Sequence, residues 1–69
     1  MIVTRNEVDW IVESPSRWVL CGAPRIAVEF NGFKWRRWLG VRSVQMRSRE
    51  AALQSVEKMV RSGEWKREA

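Results

Sequence analysis

Ile26-Ala27-Val28-Glu29-Phe30-Asn31-Gly32-Phe33-Lys34-Trp35-Arg36-Arg37-Trp38 is the stretch whose reading decides the fold. Two runs rich in β-branched and aromatic residues flank Asn31-Gly32, a dipeptide suited to a two-residue type I′ hairpin turn. Counting outward from that turn predicts a register. Phe30 faces Phe33, Glu29 faces Lys34, Val28 faces Trp35, Ala27 faces Arg36, Ile26 faces Arg37 and Arg25 faces Trp38. Side chains alternate between the two faces of a strand. One face therefore gathers Ile26, Val28, Phe30, Phe33 and Trp35 as a core side. Arg37 interrupts it near the strand end, where its stem can carry the charge to water. The other face gathers Arg25, Ala27, Glu29, Lys34, Arg36 and Trp38 and reads as solvated and basic. A Glu29–Lys34 pair would favour this register by about 0.2–1 kcal/mol.

Upstream, Asp9-Trp10-Ile11-Val12-Glu13 and Arg17-Trp18-Val19-Leu20-Cys21 read as two more strands. Ser14-Pro15-Ser16 is a credible tight connection between them. Trp10 and Val12 share one face and Ile11 takes the other. Cys21 is expected as an inert thiol in strand context, and Asp9 and Glu13 as charges on a solvated edge. Downstream, Leu39-Gly40 ends the hairpin. Val41 to Arg47 reads either as a fourth strand, with Val44 and Met46 inward, or as a loop.

Ser48 is placed to cap a helix, with Glu50 in its first turn. Ala52, Val56, Met59 and Val60 recur at helical spacing, with Leu53 on the flank. Glu57 and Arg61 are four apart in the favourable order for an exposed pair. Gly63 is a natural stop. The expected fold class is α+β: a three- or four-stranded antiparallel sheet over about 8–46, packed against one C-terminal helix over about 49–62. A polar tail over 63–69 carries Trp65, read as a lid on the helix–sheet seam or as an exposed contact.

The chain has 69 residues, which makes one small domain. A chain of this size buries only roughly 60% of its unfolded surface. Its single cysteine excludes an internal disulfide, and without histidine or a cysteine cluster no cofactor or structural zinc is expected. Five tryptophans are large core material, each able to remove about 150–250 Å² from water. Oligomerisation is another route to stability. No apolar run approaches the length of a membrane span, and the opening Met1-Ile2-Val3-Thr4 is too short for a signal peptide. The expected location is the cytoplasm or nucleoid. No histidine means no ordinary general base near neutral pH, and no glycine-rich phosphate loop exists. An enzyme is not expected. The four glycines, Gly22, Gly32, Gly40 and Gly63, all fall at element ends.

The formal charge is +5, and it is concentrated. From Lys34 to Arg49 lie Lys34, Arg36, Arg37, Arg42, Arg47 and Arg49, with no acid among them. Trp35 and Trp38 sit inside this run. Positive charge interleaved with flat rings is the composition that a nucleic-acid backbone selects. It is also the composition of a basic β edge kept soluble by its charges. The candidate nucleic-acid contacts are Arg17, Trp18, Arg25, Lys34, Arg36, Trp38, Arg42 and Arg47. A sheet face or ribbon carrying them would suit the major groove of double-stranded DNA. The rival partners are an acidic protein, met by a small phage-type inhibitor or adaptor rich in tryptophan and arginine, and RNA.

The run from Pro24 to Gly32, then Trp38-Leu39-Gly40, then Ser48-Arg49-Glu50-Ala51-Ala52, resembles the AP2 and phage-integrase arm-binding group of DNA-binding domains. The resemblance covers about 35 residues. It implies three antiparallel strands and a helix, with the sheet in the major groove. It also implies that Arg17 and Trp18 lie on the first strand, Arg25 on the second, and Arg36 and Trp38 on the third. Ser48 would be the cap, and Ala51 and Ala52 the close helix–sheet contacts.

Overall fold

In the computed structural model, which describes residues 1–63, six antiparallel strands lie side by side in sequence order and one helix covers one face of the sheet. The strands are β1 (Ile2–Arg5), β2 (Val8–Ser14), β3 (Arg17–Leu20), β4 (Ala23–Phe30), β5 (Trp35–Leu39) and β6 (Arg42–Met46), followed by α1 (Arg49–Ser62). The α+β class and the C-terminal helix stand as expected, but the sheet has six strands rather than three or four. Val41–Arg47 does contain a strand, with Val44 and Met46 on the helix side by register. β1 is the strand the sequence concealed. The tail from Glu64, with Trp65, lies outside the described residues.

β1 and β2 are joined through Asn6 and Glu7, both in the left-handed region (φ 50 and 65), the signature of a two-residue type I′ turn. The Asn31-Gly32 connection is not of that kind. Gly32 has φ 92, but Asn31 is not left-handed. Its side chain instead accepts hydrogen bonds from the amides of Phe33 (2.9 Å) and Lys34 (2.8 Å). The Asn31 amide donates to the Lys34 carbonyl at 3.1 Å, closing a four-residue loop over 31–34.

This loop moves the β4–β5 register by two. Phe30 pairs with Trp35, Glu29 with Arg36, Val28 with Arg37, Ala27 with Trp38 and Ile26 with Leu39. A shift of two preserves the face of every strand residue. Ile26, Val28, Phe30 and Trp35 therefore still face the helix, while Ala27, Glu29, Arg36 and Trp38 face away. Phe33 and Lys34 leave the sheet altogether. The expected Glu29–Lys34 pair is replaced by Glu29 opposite Arg36, and the Arg25–Trp38 pair by the Gly40 amide donating to the Arg25 carbonyl.

The core lies between the helix and the sheet. Val8, Trp10, Leu20, Ala23, Ile26 and Val28 from β2–β4 meet Ala52, Leu53 and Val56 of α1. Trp18, Trp35, Leu39, Met46 and Val60 pack around them. Ser48 caps the helix as expected: its Oγ accepts from the Ala51 amide at 3.1 Å. Gly63 ends it with φ 79, a conformation that costs glycine nothing. Cys21 is half-buried in the β3–β4 turn rather than in a strand. Arg37 lies mid-strand under the helix rather than at a wet strand end, and its guanidinium donates to Ser55 Oγ and Met59 Sδ.

One buried carboxylate fastens the N-terminal hairpin to the helix. Glu57, expected on the exposed side with Arg61, is fully buried. It accepts from Arg5 Nε (2.7 Å), Asn6 Nδ2 (2.9 Å) and Trp10 Nε1 (2.9 Å). Arg5 also grips Glu50 through both terminal nitrogens. Its hydrogen bonds, with a third from Gln54, hold the Glu50 carboxyl down to about 2.

Candidate nucleic-acid interface

Among the described residues no helix or second sheet covers the outer face, so its chemistry can be read row by row from the register. One row runs Ile2, Ile11, Val19, Ala27, Trp38 and Ser43 across all six strands. Trp38 lies beside Ala27, which is only 2% exposed although no described element is layered over it. The parallel row runs Arg17, Glu29, Arg36 and Gln45. Arg17 sits between two carboxylates, 2.7 Å from Glu13 and 2.9 Å from Glu29. These hydrogen bonds, Glu13 first, raise its pKa further. Asp9 accepts from Thr4 Oγ1 at 2.6 Å. Asp9 and Glu13 belong to the second strand of the sheet, not to an edge.

The outer face thus sets Asp9, Glu13 and Glu29 against Arg17, Arg25 and Arg36, and it is close to neutral. Arg36 stands between Glu29 and Gln45 and donates to Ser43 Oγ at 3.1 Å. Trp18 is not on this face. It lies on the helix side, edge-on to Trp10 at 6.5 Å, with Arg49 5.4 Å from its ring centre. Neither Trp18 Nε1 nor Trp38 Nε1 has a hydrogen-bond partner among the described residues.

The cations that remain gather at the β5–β6 side. Lys34 is exposed on the 31–34 loop, its Nζ 5.4 Å from the Phe33 ring centre. Arg42 opens β6 and Arg47 follows it, both exposed. Lys34 and Arg47 line a common groove beside Phe33 and Trp35. Arg25 and Arg42 line another at the Gly40 turn. Arg47 and Lys58 line a third, between β6 and the helix. Lys34, Arg36, Arg42 and Arg47 make no ion pair with any described carboxylate. No acid occurs between Phe30 and Arg49, so β5, β6 and their loops contain none.

Of the eight residues expected to act together, the structure brings Arg17, Arg25, Arg36 and Trp38 to the outer face and Lys34, Arg42 and Arg47 to one side of the sheet. It separates Trp18 from both. Sequence reasoning missed Lys58, which the packing of α1 on the sheet brings to the same groove as Arg47. It also placed Phe33 in the core, whereas the ring is 81% exposed. Among the described residues there is no group of three or more metal-ligating side chains, and no helix is long and apolar enough to cross a membrane. The chain matches no family model, no curated protein and no solved structure.

Proposed function

We propose that this protein binds nucleic acid, double-stranded DNA foremost, through the β5–β6 side of its sheet. The observation that carries this reading is the sorting of charge. Four carboxylates are committed to Arg5 and Arg17, at the other side of the sheet and on its neutral outer face. Lys34, Arg42 and Arg47 are left on a border that carries no acid among the described residues. Cations within a Debye length of about 8 Å of a phosphate retain most of their attraction at physiological salt. A row of such cations along a strand edge suits a row of phosphates. Lys58, at the same groove as Arg47, extends the row on the helix side.

The test is a titration of the protein against fluorescent double-stranded DNA, single-stranded DNA and double-stranded RNA at several salt concentrations. The expected result is micromolar or tighter binding, tightest for duplex DNA, with a log–log salt slope of roughly −3 to −5. An RNA preference would change the substrate but keep the interface. Failure to bind any of the three would remove the reading and leave the acidic-protein partner, which meets the same cations without a preference among oligonucleotides.

A further inference from the structure

Phe33 is a large apolar ring held 81% in water at the tip of a hairpin. Its backbone is fixed there. Asn31 Oδ1 accepts from both the Phe33 and the Lys34 amides, so the tip is a hydrogen-bonded turn rather than a slack loop. Beneath it lies a groove of about 500 Å³. Phe33 and Trp35 supply flat rings, Met46 a polarizable wall and Gln45 an amide with donor and acceptor sides. Lys34 and Arg47 stand at the same groove and bring two positive charges.

We propose that this groove takes an unstacked nucleobase, with Phe33 as the stacking or wedging ring and Lys34 and Arg47 on the flanking phosphates. The inference rests on the nucleic-acid reading and specifies the feature recognised. The argument is one of matched chemistry. A base has a flat face, a polar edge and an anion a few bonds away. The groove offers rings, an amide and cations within one small opening. An apolar peptide would use the rings and leave the cations idle, and a paired helix would use the cations and leave the exposed ring idle. Apolar side chains that unstack a base step in this way are a recognised mode of contact with DNA.

The experiment compares a fully paired duplex with the same duplex carrying a single-base bulge, for the wild type, Phe33→Ala and Phe33→Tyr. Phe33 is so exposed that its truncation leaves folding intact, which a thermal melt checks. The wild type should bind the bulged duplex about tenfold more tightly, the order expected of one base on one aromatic ring. Phe33→Ala should lose that preference while keeping its affinity for the paired duplex and its salt slope. Phe33→Tyr should restore it. Equal binding of the two duplexes by the wild type, or a preference that survives in Phe33→Ala, overturns the base site and leaves the nucleic-acid reading standing. No binding to either duplex overturns the base site, and the nucleic-acid reading falls with it where single-stranded DNA and double-stranded RNA also fail to bind.

Discussion

Glu57 is fully buried, and three donors from β1, β2 and their turn converge on it. Its carboxylate is the acceptor without which Trp10 Nε1 and part of Arg5 would face the interior unpaired. Leaving such donors buried and unsatisfied is more costly than losing an exposed pair of the same chemistry. Glu57→Ala should therefore destabilise the fold by about 3 kcal/mol, read as a lowered urea midpoint. Glu57→Gln should fall between, since the amide keeps an acceptor oxygen but turns a donor towards one of its partners. A wild-type midpoint in Glu57→Ala would mean that the cluster is wet and the carboxylate dispensable. Nothing in the sequence distinguished this glutamate. Its spacing to Arg61 is that of an ordinary surface pair, and its partners lie some fifty residues away along the chain. Asn31 was misread for a related reason. Asn-Gly favours a type I′ turn through the backbone, but the asparagine side chain can also bond amides two and three residues ahead. Here that second option wins.

At the scale of elements, the strand faces were legible and the register was not. Alternation with period two fixed which of Ile26 to Phe30 and Trp35 to Trp38 look inward, and a register error of two leaves that parity untouched. Helix α1 was legible at both ends because Ser48 and Gly63 act locally. β1 was hidden because only four residues form it, two of them polar. The turn that follows uses Glu7 at positive φ, where glycine would have announced it. What holds β1 in place is long-range: Arg5 clasps Glu50 at the start of α1 as well as Glu57. The Arg5–Glu50 contact carries a pH signature. Its hydrogen bonds lower the Glu50 carboxyl from 4.5 to about 2 in the folded protein. A carboxyl whose folded pKa is depressed adds stability above its unfolded value and loses it as the pH falls through the folded one. The wild type should thus exceed Glu50→Gln in thermal stability at neutral pH, and the gap should close as the pH falls from about 4.5 to about 2. Parallel curves over that window would show that the clasp is not made in solution. Because Glu50 is exposed, the gap itself should be small.

At the scale of the molecule, the sequence disclosed that the charge is local but not where the chain would put it. Lys34, Arg36, Arg42 and Arg47 form one acid-free run in sequence, and β5 and β6 are neighbours, so the run stays together in space. The neutrality of the outer face could not be foreseen. It depends on β2, β3 and β4 lying in order, which brings Glu13 and Glu29 to the two sides of Arg17. Nor did alternation alone assign Trp18 to the helix side, since that requires Val12 and Val28 as its cross-strand neighbours. The two ways of meeting DNA, by the outer face or by the β6 edge, separate cleanly by mutation. Arg42→Ala with Arg47→Ala removes two exposed cations from the edge and touches no ion pair among the described residues. Arg25→Ala with Arg36→Ala removes the same charge from the outer face, where Glu29 and Asp9 already oppose it. The edge double variant should weaken duplex binding about tenfold or more and make the salt slope shallower by about two, with an unchanged melt. The face double variant should weaken it by clearly less. Were the face variant the weaker binder of the two, the outer face would be the interface despite its acids, and the row of Trp38, Ala27 and Val19 would lie against the DNA.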